Sequence, residues 1–286
     1  MFACSQWSKW SALAQGDQIG FHGRALLSHY TADYQIRGAG QTIVIVPGLA
    51  GGTALLEPLA DALSRNFQVI SYELRGEGDC FALRRRFDIR DLACDLGEFL
   101  DSLGLESPII MGVSFGAAIA LTLASERRGR LSGLVMQGAN VRFEPSLFRR
   151  VAGQVLSGYP LPPDNKFVNQ FFNLLFGGRQ RDRSLFEFVT RHCWQTDQSV
   201  MAHRFRLIER LDLSGRLANL RVPTLLLRGE RDMLVSDAAW RELTTGIPHA
   251  TAVTLPGAGH LACVTHSRRM ADRIWHFARE RTAVEV

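Results

Sequence analysis

The chain has 286 residues, of which 46% are hydrophobic and 21% charged, ordinary figures for a globular protein large enough to build its core without disulfides or metals. Its formal charge of +5 is almost all guanidinium, since Lys9 and Lys166 are the only lysines among 33 basic residues, and those arginines are scattered rather than gathered on one aromatic-rich element as nucleic-acid binding would require. The five cysteines are odd in number and lack C-x-x-C spacing, which speaks for reduced thiols in a cytoplasmic protein and against a disulfide framework or a zinc site.

Residues 1–22 read as an irregular extension. Gln15, Asp17 and Gln18 fall where a secretory signal would need an apolar run. Residues 41–46 (QTIVIV) form a continuous apolar stretch ending at Pro47-Gly48, the pattern of a strand buried on both faces. A helix is predicted over 53–65 with Thr53 as its N-cap, followed by a strand at 67–72 (FQVISY). Ile89, Leu92, Leu96, Phe99, Leu100 and Leu103 recur at helical spacing over 88–103, and Gly104 stops that helix. A strand at 108–113, an alanine-rich helix at 115–127 and a strand at 131–137 follow. This strict alternation calls for a mostly parallel sheet flanked by helices, with right-handed crossovers.

The alternation stops near Asn140. From 141 to 220 the chain offers only helix-compatible segments, at 147–156, 166–176, 184–193 and 200–211, punctuated by Gly158-Tyr159-Pro160 and Pro162-Pro163. It resumes with a strand at 223–228 (PTLLLR), a helix from Asp237, a strand at 250–255 and a last helix at 267–281. The economical organisation is one α/β core, 23–140 and 221–286, interrupted by an inserted helical cap at 141–220. No stretch approaches 18 consecutive apolar residues, so no membrane span is expected.

The chemistry concentrates in three segments. Ser114 lies in Gly112-Val113-Ser114-Phe115-Gly116, between a strand and a helix. So tight a turn strains the serine backbone and is tolerated only when the residues two before and two after are small. It would lift Oγ above the sheet edge at a helix N-terminus, whose dipole favours negative charge. A bare G-x-S-x-G also fits a serine capping an ordinary turn. Pro256-Gly257-Ala258-Gly259-His260 follows the last strand, and its glycines allow a loop that reaches back to the serine. Arg228-Gly229-Glu230-Arg231-Asp232 supplies carboxylates after the preceding strand, with Glu230, Asp232 and Asp237 as candidates.

These segments, in the order Ser, Asp, His, make the chain from about 23 to 282 resemble the α/β-hydrolase superfamily. By that resemblance Asp232 occupies the G-x-x-D position of the triad acid, and Ser114, Asp232 and His260 form a catalytic triad. The strand before it ends Gln137-Gly138-Ala139-Asn140, without the carboxylate some members carry there. Val46-Pro47-Gly48-Leu49 resembles the family's H-G-x segment, with Pro47 in place of histidine. The resemblance then gives the oxyanion hole to the backbone N–H groups of Leu49 and Phe115. Glu73-Leu74-Arg75-Gly76-Glu77-Gly78 is similar to the D-x-R-G-x-G turn, with Glu73 for aspartate, and carries a structural role.

The resemblance implies hydrolysis of a carboxylic ester or lactone of a small, largely apolar molecule, with no cofactor and no metal, by a monomer or homodimer. Carbon–carbon bond hydrolysis, cofactor-free haloperoxidase or perhydrolase chemistry and acyl transfer use the same triad, and a slow-turnover ligand receptor is the alternative from another class. Phe171, Phe172 and Phe176 crowd one short segment of the insertion. They are candidates to line the substrate site, although aromatic residues at helical spacing usually pack a core. His192 and His203, also in the insertion, are weaker candidates.

Overall fold

A computed structural model describes residues 20–77, 86–126, 130–143, 147–158 and 166–282; nearly all of the expected N-terminal extension and the Pro162-Pro163 segment lie outside them. Eight strands form one sheet: β1 (Phe21–Leu26), β2 (Thr31–Arg37), β3 (Thr42–Val46), β4 (Gln68–Tyr72), β5 (Ile109–Val113), β6 (Gly133–Gln137), β7 (Thr224–Gly229) and β8 (Thr251–Leu255). Their order is β1-β2-β4-β3-β5-β6-β7-β8. The six strands from β3 onward are parallel and are the six that the alternation predicts.

β1 and β2 add an antiparallel edge that the apolar runs do not announce. On β2 only Ala32 and Tyr34 are buried, with Asp33 and Gln35 alternating outward, while β1 is exposed except at Gly23 and Ala25. An edge with one solvated face shows period-two alternation, not a continuous hydrophobic run.

Both faces of the parallel region are covered. Val44, Val46, Ile110, Leu134, Met136 and Leu226 point into one core. Ile43, Ile45, Ile109, Met111, Val135 and Leu225 point into the other, so the central strands are buried on both sides, while β8 at the edge is exposed at Thr251, Ala252 and Thr254. The chain-ordered helices are α1 (Gly52–Leu55), α2 (Glu57–Leu63), α3 (Ile89–Ser102), α4 (Phe115–Glu126), α5 (Leu147–Gly158), α6 (Lys166–Leu175), α7 (Arg183–Cys193), α8 (Gln198–Glu209), α9 (Asp237–Gly246), α10 (Ala262–Thr265) and α11 (Ser267–Thr282). Helices α3, α4 and α9 cover the first face, and α2 and α11 the second. Helices α5 to α8 occupy the stretch between β6 and β7. Among the described residues no helix is long and apolar enough to cross a membrane.

Local chemistry sets the ends. Helix α3 begins at a reciprocal capping box, in which the Asp91 amide donates to Asp88 and the Asp88 amide donates to Asp91, each at 2.8 Å. The single helix predicted over 53–65 is instead two. Pro58 lacks an N–H and fits only the first turn of a helix, so a new helix opens there. The N-cap of α1 is Gly51, at φ 88°, rather than Thr53. The Thr53 hydroxyl is engaged elsewhere, donating to Glu73 Oε1 at 2.6 Å.

Phe99 of α3 is fully buried, stacked on Tyr72 at 4.5 Å between ring centroids and edge-on to Tyr34 at 5.6 Å. It thereby joins the antiparallel edge to the parallel core. Phe99→Ala is expected to cost about 3–5 kcal/mol in urea-induced unfolding; a loss below about 1 kcal/mol would mean the site collapses freely around the deletion.

Candidate active site

The strand β5 runs into α4 through a single residue, Ser114, whose φ is 53°. A left-handed backbone costs a non-glycine residue roughly 1–2 kcal/mol, so the surroundings must hold it there. A β-carbon on Gly112 would lie 2.5 Å from the Ala117 Cα, and one on Gly116 would lie 2.2 Å from the Val46 carbonyl oxygen. Neither position has room for any side chain. The Ser114 amide donates to the Gln137 carbonyl at 2.8 Å, and the Ala117 amide to the Ser114 carbonyl at 2.9 Å. The hydroxyl therefore stands at the start of α4, above the C-terminal ends of β5 and β6.

His260 Nε2 lies 2.8 Å from Ser114 Oγ, and Nδ1 lies 2.8 Å from Asp232 Oδ2. The Asp232 side chain is fully buried and His260 nearly so. Burial pushes the Asp232 carboxyl upward, but the charge and hydrogen bond of His260 outweigh it, helped by the amides of Leu234 and Val235. Those amides donate to Oδ1 at 2.9 and 3.1 Å, so the carboxyl is held below its ordinary value and stays ionised. An imidazole placed between a hydroxyl and a buried carboxylate can take the hydroxyl's proton as the oxygen attacks an electrophile.

The rival carboxylates are elsewhere. Glu230 accepts from the Gly257 amide at 2.8 Å, fastening the histidine loop to the end of β7. Asp237 is exposed and pairs with Arg228 at 2.7 Å.

Several supporting residues were invisible as motifs. Gln137 donates from Nε2 to the His260 carbonyl at 2.8 Å, so one residue at the end of β6 fixes the serine through its backbone and the histidine through its side chain. Gly138, at φ 62°, has its Cα against the imidazole: a β-carbon there would lie 2.8 Å from His260 Cε1. Asn140 donates to the Leu234 carbonyl at 3.2 Å, steadying the Asp232 turn. The end of β6, read in the sequence only for its lack of a carboxylate, is thus the scaffold on which serine, histidine and aspartate meet.

The loop after β3 abuts the serine. A β-carbon on Gly48 would touch the Val113 carbonyl at 3.5 Å and the Ser114 Cβ at 3.8 Å. Among the described residues, neither the Leu49 nor the Phe115 amide donates to a loop or turn carbonyl. Phe115 opens α4, where a helix leaves its first amides without intrahelical acceptors.

The three phenylalanines divide. Phe172 and Phe176 are buried in the core cluster that includes Val189, Leu261 and Cys263, and both make ring contacts with Phe186. Phe171 is half-buried. The chain at Phe176 rests on the histidine loop, since a β-carbon on Gly259 would lie 2.3 Å from the Phe176 carbonyl carbon. His192 pairs with Gln195 at 3.2 Å. His203 donates from Nε2 to the Phe87 carbonyl at 2.7 Å.

Curated relatives match most of the length of this chain. The chain is 28% identical over 253 residues to the pimeloyl-[acyl-carrier protein] methyl ester esterase of Xanthomonas campestris pv. campestris, covering 84% of this chain and 96% of that one. It is 25% identical over 244 residues to the 2-(acetamidomethylene)succinate hydrolase of Mesorhizobium japonicum, covering 83% and 87%. Among solved structures, a hydrolase from Pseudomonas aeruginosa superposes with a TM-score of 0.79 at 21% identity, over 90% of this chain and 97% of the other. Residues 41–267 match the family described as the alpha/beta hydrolase fold, a span that contains Ser114, Asp232 and His260 together with β3 to β8, and the chain belongs to that family.

Proposed function

We propose that the protein hydrolyses carboxylic esters or lactones of small, largely apolar acids, with Ser114 as nucleophile, His260 as general base and Asp232 as the group that orients it. The observation that carries this reading is the unbroken pair of 2.8 Å hydrogen bonds from Ser114 through His260 to a buried, ionised Asp232. The resemblance to a methyl ester esterase supports an ester substrate.

In the proposed reaction, His260 takes the Ser114 proton as Oγ attacks the carbonyl carbon, and Asp232 stabilises the imidazolium that forms. The tetrahedral oxyanion accepts hydrogen bonds from the Leu49 and Phe115 amides, each donor worth roughly 3–4 kcal/mol in a water-excluded site. His260 returns the proton to the departing alkoxide, leaving an acyl-serine. A water molecule, deprotonated by His260 in turn, attacks that ester, and His260 passes the proton to Ser114 Oγ as it leaves, releasing the acid. The insertion at 141–220 acts as a cap over the serine, and its aromatic face selects the acyl group.

Ser114→Ala is expected to abolish hydrolysis of p-nitrophenyl esters while leaving thermal unfolding within a degree or two of wild type, and a fluorophosphonate should label Ser114 alone by mass spectrometry. Activity of Ser114→Ala within about tenfold of the parent would overturn the assignment.

The acid side of the pH profile follows from the same geometry. Because His260 holds the Asp232 carboxyl low, Asp232 remains ionised over the working range. kcat/KM is expected to fall as pH drops, since a protonated His260 cannot accept from Ser114. Asp232→Asn should lower kcat by roughly 10⁴-fold, whereas Glu230→Gln, which disturbs only a loop contact, should cost far less. The reverse ranking would mean the wrong carboxylate was chosen.

An ester series of increasing acyl length tests the cap. Each added methylene is expected to improve kcat/KM by up to about 0.8 kcal/mol until the pocket is full. Phe171→Ala, at the half-buried position, should shift the length optimum more cleanly than Phe172→Ala or Phe176→Ala, which also disturb packing. Rates that fall steadily from acetate, with no variant altering the profile, would make this segment packing only.

A further inference from the structure

The most heavily engaged buried cation in the described molecule is not in the triad. Arg204 of α8 is completely buried. Its Nη1 donates to the Leu49 carbonyl at 3.0 Å and to the Glu77 carboxylate, and its Nη2 donates to the Arg75 carbonyl at 3.0 Å. The guanidinium carbon stands 6.0 Å from the centroid of the Phe115 ring. Arg204 therefore touches Leu49 through its carbonyl and Phe115 through its ring, the two residues whose amides are proposed above as the oxyanion donors.

A second residue of the insertion completes the clamp. The Thr196 hydroxyl accepts from the Gly51 amide at 2.9 Å and donates to Glu77 at 2.9 Å. Further along the loop, Thr53 donates to Glu73 through its amide at 3.1 Å and its hydroxyl at 2.6 Å. The segment 47–53 is thus held at both ends. Behind it, the Val46 and Pro47 carbonyls press on Gly116. Ahead of it, the Leu49 carbonyl and the Gly51 amide are taken by side chains of the insertion. The Leu49 N–H lies between these anchors, so its direction depends on both.

We propose that Arg204 is a positioning residue for the oxyanion hole, acting through the Leu49 carbonyl and supported by Glu77 and Thr196, so that the insertion sets the rate of the chemical step as well as the choice of substrate. This rests on the serine-hydrolase reading above. The chemistry favours arginine here: a planar fork can reach two carbonyls and a carboxylate together, whereas an ammonium is a single point. An arginine placed only for stability would not need to end on the loop that abuts Ser114.

The test compares wild type, Ser114→Ala, Arg204→Lys and the doubly neutral Arg204→Met/Glu77→Gln, which leaves no lone buried charge if the lysine variant folds poorly. Three quantities are measured: kcat and KM on p-nitrophenyl butyrate, the number of reactive serines from the endpoint of fluorophosphonate titration, and the inhibition constant of phenylboronic acid, whose serine adduct is tetrahedral and anionic. For both Arg204 variants, kcat per titrated serine is expected to fall about tenfold to a hundredfold, less than the loss of a whole donor. KM should stay within about twofold, and the boronate constant should rise by the same factor as kcat falls. A variant with fewer titratable serines but wild-type kcat per serine and wild-type boronate affinity would make Arg204 structural and overturn the proposal. If Ser114→Ala still hydrolyses the ester, the reading of the site itself falls and takes this inference with it. If Ser114→Ala is dead and the Arg204 variants are normal, only the inference falls.

Discussion

A β-carbon at residue 116 would lie 2.2 Å from one backbone oxygen of the β3 exit, and a β-carbon at 112 would collide with the start of α4. The molecule's centre is therefore a place where three backbone segments meet without side chains between them. That crowding is what keeps Ser114 at a positive φ, because no relaxed path joins β5 to α4 in the space available. It also brings the loop carrying Leu49 against the serine, since the same absence of side chains lets the β3 exit lie on Gly116. The strain at the serine and the nearness of the β3 exit are one fact seen from two sides.

Around that contact the carboxylates differ sharply in environment. Asp95 is buried and receives two hydrogen bonds from Arg75, at 2.9 and 2.6 Å, yet burial dominates and its carboxyl is raised. Glu73 is raised for the same first reason, with the Thr53 hydrogen bond only partly offsetting it. Asp232 is as hidden as either but is lowered, because two amides and an imidazole converge on it. Burial alone does not decide ionisation; what decides is how many donors the fold aims at the oxygens. Of Asp95, Glu73 and Asp232, only Asp232 receives enough of them to hold its carboxyl below the ordinary value.

The parallel core was legible in the sequence because strands buried on both faces write continuous apolar runs, and the helices between them end at glycines such as Gly104. The edge strands β1 and β2 were not, since a half-solvated pair shows only a weak alternation. Asp88 marked the start of α3 correctly, but Thr53 misled, being a threonine at the right distance from a helix whose hydroxyl Glu73 had already engaged. In the site, Ser114 and His260 stood out through their glycines. Gln137, Gly138 and Asn140 did not, because their roles arise where β6 passes between two loops distant in sequence. Arg204 was one arginine among many. Nothing local distinguishes a buried guanidinium from a solvated one until the elements around it are assembled.

Two of the places where the insertion meets the rest of the site have little to do with each other. At the end of α6, the Leu175 carbonyl accepts from the Leu261 amide at 3.1 Å, and the backbone at Phe176 and Gly177 lies directly on Gly259 and Arg231, the residues before the histidine and the aspartate. At α8, Arg204 and Thr196 hold the loop of Leu49 and Gly51. Both contacts are made largely through backbone atoms of the core, which cannot be exchanged by mutation, so the insertion must adapt to them through its own side chains. Phe172, Phe176 and Arg204 are fixed by that demand. Phe171, on the same helix as Phe172, is only half-buried. Whatever else changes in the insertion, the side chains that meet the His260 loop and the Leu49 loop are constrained by backbone they cannot alter.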